Sequence, residues 1–434
     1  MEYVFVTAWF GLGALTASLN LRYGAYLVLA TLPLYGVNLN LFGLPTSALE
    51  LTTLGALAMF FWSYRKKLPE VLSNLQAFQI PLGLLLLAAL ISIFTAPDWG
   101  KSFLIFRSYY LEPVLFFVYL ATVFTSVKDY RKILTALCLP SLAIIAFAWL
   151  QRLGLQKIPA IYAADERVTS LYSYANAVGL FLAPLIAAYA ISLIQHPKIQ
   201  GKVALIKDLW FKVVAIAIIV LGTGAIVFSK TEAAWLALVA VALIYGFSQL
   251  RFRKLTLGIT VAGLITLALL PNLAATTIDK VMLRDFSGAV RRTTWNETRN
   301  FLADHYLLGA GLSGYQVAMA PYHKQLDIEI FWYPHTLILN FWVELGLLGV
   351  IALLVLIVTI YSQAKTLPER WLVWAPLSVM LIHGLFDVPV FKGDLAIMTF
   401  AFLAFIPILK RENPSLPPLE RGGVSHSSPL DKGD

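Results

Sequence analysis

Thirteen apolar stretches, each about as long as the ~17–25 residues that cross a bilayer, recur from one end of this chain to the other. They fall near 4–19, 23–39, 46–63, 79–95, 103–126, 131–152, 174–195, 211–228, 232–248, 255–274, 336–361, 371–389 and 393–410. Backbone polar groups in lipid must be paired within the segment, so stretches this long and this apolar are expected to be helices. Charged residues are 13% of the chain and hydrophobic ones 59%, against ~25% charged in soluble domains. The expected fold is therefore all-α: a polytopic integral membrane protein of 12–14 transmembrane helices, with one long extracytoplasmic loop carrying short amphipathic helices.

Lys and Arg distribution orients the spans. Alternate loops hold Arg22; Arg65, Lys66 and Lys67; Lys128, Arg131 and Lys132; Lys198, Lys202, Lys207 and Lys212; Arg251, Arg253 and Lys254; Lys365 and Arg370; and Lys410 with Arg411. These loops are assigned to the cytoplasm, which places 276–335 outside. The net charge of +9 follows from this topology, and no nucleic-acid binding is read from it. Met1-Glu2-Tyr3 lacks a basic region, so the first stretch is expected to be a span and not a cleaved signal. Cys138 is the single cysteine, which excludes disulfides and Cys-based metal sites. The division is 1–275, N-terminal transmembrane helices; 276–335, extracytoplasmic catalytic loop; 336–410, C-terminal transmembrane helices; and 411–434, a Pro-, Gly- and Ser-rich cytoplasmic tail expected to be disordered.

Charges inside or beside spans are costly and commonly face protein or water. On this topology Arg107, Arg167, Lys230, Arg291 and Arg292 reach the extracytoplasmic level from four chain segments. Guanidinium forks suit phosphate, so these residues form a candidate diphosphate-binding set. Each has a competing reading: Arg167 and Arg292 as solvated loop charges, Arg107 neutralised by Glu112, Lys230 paired with Glu232 or snorkelling. His335, in Tyr333-Pro334-His335, opens an apolar helix at the same level. A histidine at an aqueous interface can accept a proton from a hydroxyl, which makes it the candidate catalytic base; a helix-start histidine can also serve only the backbone. Glu344, further along that helix, reads as a buried structural partner, and Gly346 with Gly349 as a small face for helix packing. Thr293–Leu308 alternates apolar and polar residues as an amphipathic helix on the membrane would. Trp295, Phe301, Tyr306, Phe331, Trp332 and Tyr333 read first as a headgroup belt and second as a surface for stacking sugars. Gly309, Gly311 and Gly314 mark a turn without the Lys-Ser/Thr of a phosphate loop.

Several of these residues stand in an order that resembles the O-antigen ligase/polymerase superfamily of polytopic membrane glycosyltransferases. Arg291 four residues before Trp295 matches that family's Arg–Trp spacing. Tyr306-Leu307-Leu308-Gly309-Ala310-Gly311 resembles its glycine turn, with Tyr where Pro is commoner. His335, Leu339, Glu344, Gly346 and Gly349 resemble its H-N-x-x-L-x-x-x-x-E-x-G-x-x-G element, with Thr336 for Asn. Arg167, Ser170-Leu171-Tyr172 and Asn176 resemble an upstream arginine element. Lys230 after Ser229 stands where the family has Arg, and His383 with Asp387 resembles a late H-x-x-x-D/N element.

The resemblance implies transfer of a glycan from an undecaprenyl-diphosphate carrier to an acceptor hydroxyl on the periplasmic side of a bacterial inner membrane, without metal or other cofactor. His335 would activate the acceptor, and the cations would hold the diphosphate. Trp295, Asn176 and Glu344 would support them. The partners implied are a lipid-diphosphate-linked glycan donor, a glycan or lipid A-core acceptor, and the bilayer. Two alternatives remain open: a repeat-unit polysaccharide polymerase of the same superfamily, and a small-anion transporter of the bicarbonate type. A transporter would hold its charges at the midplane on broken helices.

Overall fold

The computed structural model of the protein describes residues 2–41, 44–195, 202–325 and 328–412. The tail expected to be disordered lies almost entirely outside the described residues. The described chain is overwhelmingly helical, and every apolar stretch overlaps a helix. Among the described residues, seven helical stretches are long and apolar enough to cross a membrane: Gln76–Thr95, Trp99–Val123, Val127–Arg152, Asn176–Ile194, Asp208–Ser229, Leu337–Ala364 and Gly393–Glu412. Arg253–Leu269 and Ala274–Lys280, bent by 108° at a short break, make an eighth if counted as one span. Tyr3–Leu19, Glu232–Ser248 and Trp371–His383 are apolar but shorter. The protein is thus an all-α, multi-pass membrane protein, and fewer of its helices reach full length than the apolar stretches led us to expect.

The stretch at 23–39 shows why. Its helix, Leu21–Ala30, has 10 residues, only ~15 Å at 1.5 Å per residue. Pro33 then sits in a 3-10 turn, Leu32–Gly36, where its missing N–H is tolerated. An antiparallel hairpin, Asn38–Leu41 with Leu44–Ser47, completes the segment. Ser47 and Glu50 form a reciprocal capping box that starts the next helix, Ala48–Tyr64.

Asn176–Ile194 and Gly393–Glu412 are the most enclosed helices, with nearly every residue buried. Asn176–Ile194 packs against Lys202–Ser229 and Trp371–His383, and Gly393–Glu412 against Glu112–Val123. Small residues allow the closest approaches: a Cβ on Gly13 would stand 2.2 Å from the Thr52 carbonyl oxygen, and one on Gly55 2.1 Å from that of Phe10. Within Trp99–Val123, residues Phe106–Leu111 form a π-helical turn, a departure that often marks function.

Three short helices fall in 271–335: Pro271–Val281, Phe286–Asp304 and Tyr315–Met319. The amphipathic helix expected over Thr293–Leu308 begins earlier and ends sooner. Asp285 caps its start, accepting from the Gly288 N–H at 3.0 Å. Its inner face does not lie free on a membrane surface: Phe301 and Leu302 join Ala310, Tyr315, Met319 and Val343 in a small core of their own.

Candidate functional site

The Leu337–Ala364 helix is interrupted at Gly346, which adopts φ 65°, ψ −168°. This corrects the reading of Gly346 as part of a helix-packing face. The break opens backbone groups that the 306–311 turn then satisfies. Leu347 N–H donates to Leu307 O at 3.0 Å, and Ala310 N–H to Val343 O at 2.7 Å. Trp342 Nε1 adds a bond to Tyr306 O at 2.7 Å. Gly309, at φ 65°, comes so near that a Cβ would lie 2.2 Å from Val343 O. Glu344, just before the break, is buried with Oε2 unpartnered.

His335 lies two residues before this helix. Pro334 disfavours helical backbone at Tyr333, and His335 itself takes φ 52°, a left-handed conformation that costs a non-glycine residue about 1–2 kcal/mol. Strain of this kind clusters at functional sites. Three contacts over-determine it. Trp295 Nε1 donates to Pro334 O at 2.9 Å. Leu337 N–H donates to Gly384 O at 2.7 Å, and Thr336 Oγ1 reaches the same oxygen at 3.4 Å. The start of Leu337–Ala364 is thereby locked to the end of Trp371–His383. The ring of His335 packs edge-on against Phe331 and Tyr333, with centroids 4.9 and 5.0 Å away.

Nδ1 of His335 faces Asp387 Oδ1 at 3.8 Å, a charge contact just beyond hydrogen-bond length. The His335 side chain is 20% exposed and that of Asp387 2%. Asp387 lies in the loop after Trp371–His383. Burial works against its ionisation, but the adjacent His335 and His383 hold its carboxyl well below the usual carboxylate range. Its second oxygen accepts from Asn176 Nδ2 at 2.9 Å. Asn176 Oδ1 accepts from Arg167 Nη2 at 2.8 Å, and Arg167 Nε donates to Ser229 O at 3.0 Å. A polar relay thus runs Arg167–Asn176–Asp387–His335 through four chain segments.

The expected cations divide. Arg167 joins the relay. Arg291 presents a buried Nε without a hydrogen-bond partner and lies within electrostatic reach of His383. Both ring nitrogens of His383 and the Asn340 amide are also buried without partners. Lys230 is exposed at the Ser229–Thr231 junction with φ 51°, and Arg292 is exposed on Phe286–Asp304. Arg107 is not a free cation: Nη2 lies 2.7 Å from Glu50 Oε2 and Nε 3.3 Å from Glu112 Oε1. Two carboxylates share its charge, which favours the competing reading of Arg107 as a neutralised cation.

Two side chains of the candidate site had no role in the sequence reading. Asp387 stood in the late family-like element without a role. Lys392 carried no signal at all. Its Nζ bonds Tyr35 OH at 2.9 Å and lies 3.8 Å from the Tyr174 ring centroid, with Tyr172 alongside. Burial lowers this ammonium to about 8, against the opposing pull of Asp394 and Asp387. The phenols of Tyr174 and Tyr333 lie within electrostatic reach of each other, which links the lysine to the ring that packs on His335.

Residues 217–354 match the O-antigen ligase family, a stretch that includes Lys230, Arg291, Arg292, Trp295, His335 and Glu344. Arg167, Asn176 and Asp387 lie outside it. No curated protein matches the chain.

Proposed function

Because residues 217–354 carry the match to the O-antigen ligase family, we propose that this protein is a membrane glycosyltransferase. It moves a glycan from an undecaprenyl-diphosphate carrier to an acceptor hydroxyl at the periplasmic face of a bacterial inner membrane. The observation that supports this most is the pairing of His335 Nδ1 with Asp387. With Nδ1 turned to a buried carboxylate, the opposite nitrogen, Nε2, is the one left to meet a hydroxyl.

Nε2 takes the proton of the acceptor hydroxyl as its oxygen attacks the anomeric carbon. The imidazolium that forms is stabilised by Asp387, which stays ionised. Asn176 and Arg167 fix that carboxylate in turn. The carbon–oxygen bond to the lipid diphosphate breaks with its electron pair on the leaving oxygen. Arg291 is the cation best placed to meet that charge, since its buried Nε has a donor to spare. Lys230 and Arg292, both exposed, bind outlying phosphate oxygens. The reaction is a single displacement with inversion and draws on no metal.

Purified protein given a lipid-diphosphate glycan and an acceptor should form the transferred product. The ligase form, with a lipid A-core acceptor, and the polymerase form, with a growing glycan, are separated by offering both acceptors. Absence of product with either, in a preparation that is folded and monodisperse, contradicts the proposal. The transporter reading has less support: the charges at this site cluster where helices begin and end, and Asp387 and Arg167 are in loops.

A further inference from the structure

A cavity of about 520 Å³ opens between the strands Asn38–Leu41 and Leu44–Ser47, the π-helical turn and the 171–173 loop. Glu50, Glu112, Tyr35, Tyr109, Asn38 and Ser173 are among its lining residues. We propose that this cavity binds the sugar rings of the glycan substrate, an inference that rests on the transferase reading above and adds where the glycan sits.

Glu112 is the central observation. It is 1% exposed and lines the cavity, yet neither carboxylate oxygen has a hydrogen-bond partner. Its one charged contact is Arg107 Nε at 3.3 Å. A buried carboxylate left this way is costly unless something donates to it. Glu50 spends one oxygen on Thr46, the Ser47 N–H and Arg107. Arg107 does not line the cavity, and supplies countercharge from behind both acids. The site therefore offers two carboxyl groups backed by one guanidinium, with the Lys101 ammonium also on the lining, together with phenol, hydroxyl and amide groups.

That chemistry selects among ligands. A phosphate would face two carboxyl groups with Lys101 as the one cation among the described lining residues, and a hydrocarbon chain would strand the polar groups, Glu112 first among them. A polyhydroxylated ring donates several hydrogen bonds and carries no charge. The volume falls within the ~300–1,000 Å³ of ordinary ligand pockets. The π-helical turn supplies the local geometry, since it displaces Arg107, Ser108 and Tyr109 from regular helical register.

The cavity also communicates with the reaction site. Tyr35 and Gly393 line it, and Lys392, the chain neighbour of Gly393, bonds Tyr35 and lies over Tyr174. Tyr174 neighbours Tyr333, which packs on His335. A chain of contacts through Tyr35, Lys392, Tyr174 and Tyr333 thus joins the cavity wall to the imidazole of His335.

The test uses saturation-transfer NMR on the full chain in detergent, with methyl glycosides of hexoses and N-acetylhexosamines as probes. Wild type should transfer saturation to ring protons of at least one sugar. Asn38→Trp and Ser173→Trp, both at exposed positions on the cavity wall, should weaken that binding tenfold or more; His335→Ala should leave it intact. Two variants guard against misfolding of one, and a melting curve checks each. No transfer to any sugar in wild type, or unaltered binding in both tryptophan variants, overturns the proposal. In the transfer assay, a raised KM for the lipid-linked glycan assigns the cavity to the donor, and a raised KM for the acceptor glycan assigns it to the acceptor. Unchanged KM for both overturns the cavity while leaving the transferase reading in place. Sugar binding without any transfer does the reverse.

Discussion

The indole Nε1 of Trp295 donates to the carbonyl oxygen of Pro334 at 2.9 Å, so the Phe286–Asp304 helix grips the chain one residue before His335. The grip acts on backbone, and it holds a histidine in a left-handed conformation that its neighbours alone would not maintain. Trp295→Phe keeps the ring and removes the donor. The lost bond is worth about 1 kcal/mol, and displacement of the imidazole should lower kcat roughly tenfold or more. KM should change little, and the melting temperature should fall only slightly. A variant with wild-type kcat would show that the grip has no catalytic role.

Asp387→Asn separates geometry from charge. Asparagine preserves the shape and can still bond Asn176, but it cannot stabilise an imidazolium. The rate should fall by about 10²–10⁴-fold, the scale of general-base catalysis, measured as kcat at saturating substrate. Asn176→Ala and Arg167→Lys, which loosen the same carboxylate, should each cost less.

Acid stability follows from the depressed Asp387 carboxyl. The unfolded chain protonates this group near pH ~4, and the folded chain only below that. Its stabilisation is therefore complete above pH ~4 and is lost as pH falls toward the folded value. Each unit of depression is worth about 1.4 kcal/mol. Melting temperatures of wild type and Asp387→Asn should diverge least at the acid end, because there both proteins carry an uncharged group. A gap that widens on acidification would contradict the assignment.

Much of this was legible in the sequence, and the rest was not for definable reasons. The apolar stretches announced helices because lipid leaves the backbone no other option. Trp295 and His335 could be singled out because short spacings around them carry a pattern. Lateral proximity carries no such mark. Asp387 meets His335 only because two helix ends are tied at Gly384. Only Glu112 could be weighed as a partner of Arg107, because Glu50, 57 residues earlier, is brought to it by the hairpin. Gly346 read as a packing residue because a helix break inside a long apolar run has only one glycine to declare it. Lys392 was silent because its cage of Tyr35, Tyr172 and Tyr174 is assembled from two distant segments.

The docking of the glycine turn into the broken helix predicts a stability effect with little direct chemistry. Gly309→Ala places a Cβ 2.2 Å from Val343 O, at φ 65°. The left-handed backbone alone costs about 1–2 kcal/mol, and the clash adds to it. Gly258→Ala, in open space and inside Arg253–Leu269, is the control and should be neutral or slightly stabilising. Thermal unfolding in detergent compares the two; equal melting temperatures would contradict the docking.

Arg291 and Arg292 are neighbours with opposite expectations. Arg291→Lys replaces a planar fork whose Nε is buried and unpartnered, and a point charge cannot reproduce it. Transfer should fall by about 1.5–3 kcal/mol in apparent activation energy, the scale of a charged hydrogen bond. Arg292→Lys, on the exposed side, should cost well under half as much. Equal losses, read as kcat/KM for the lipid-linked donor, would remove Arg291 from its place beside the leaving group.

The central claim is that His335 is the general base of a metal-independent glycan transfer, and the most direct measurement is the single-turnover rate of purified protein, wild type and His335→Ala, each with and without EDTA. The account predicts a wild-type rate indifferent to chelation and a loss of about 10²–10⁴-fold in the variant, with the donor still bound. Full activity in His335→Ala, or wild-type activity abolished by EDTA and restored by a divalent ion, would contradict it.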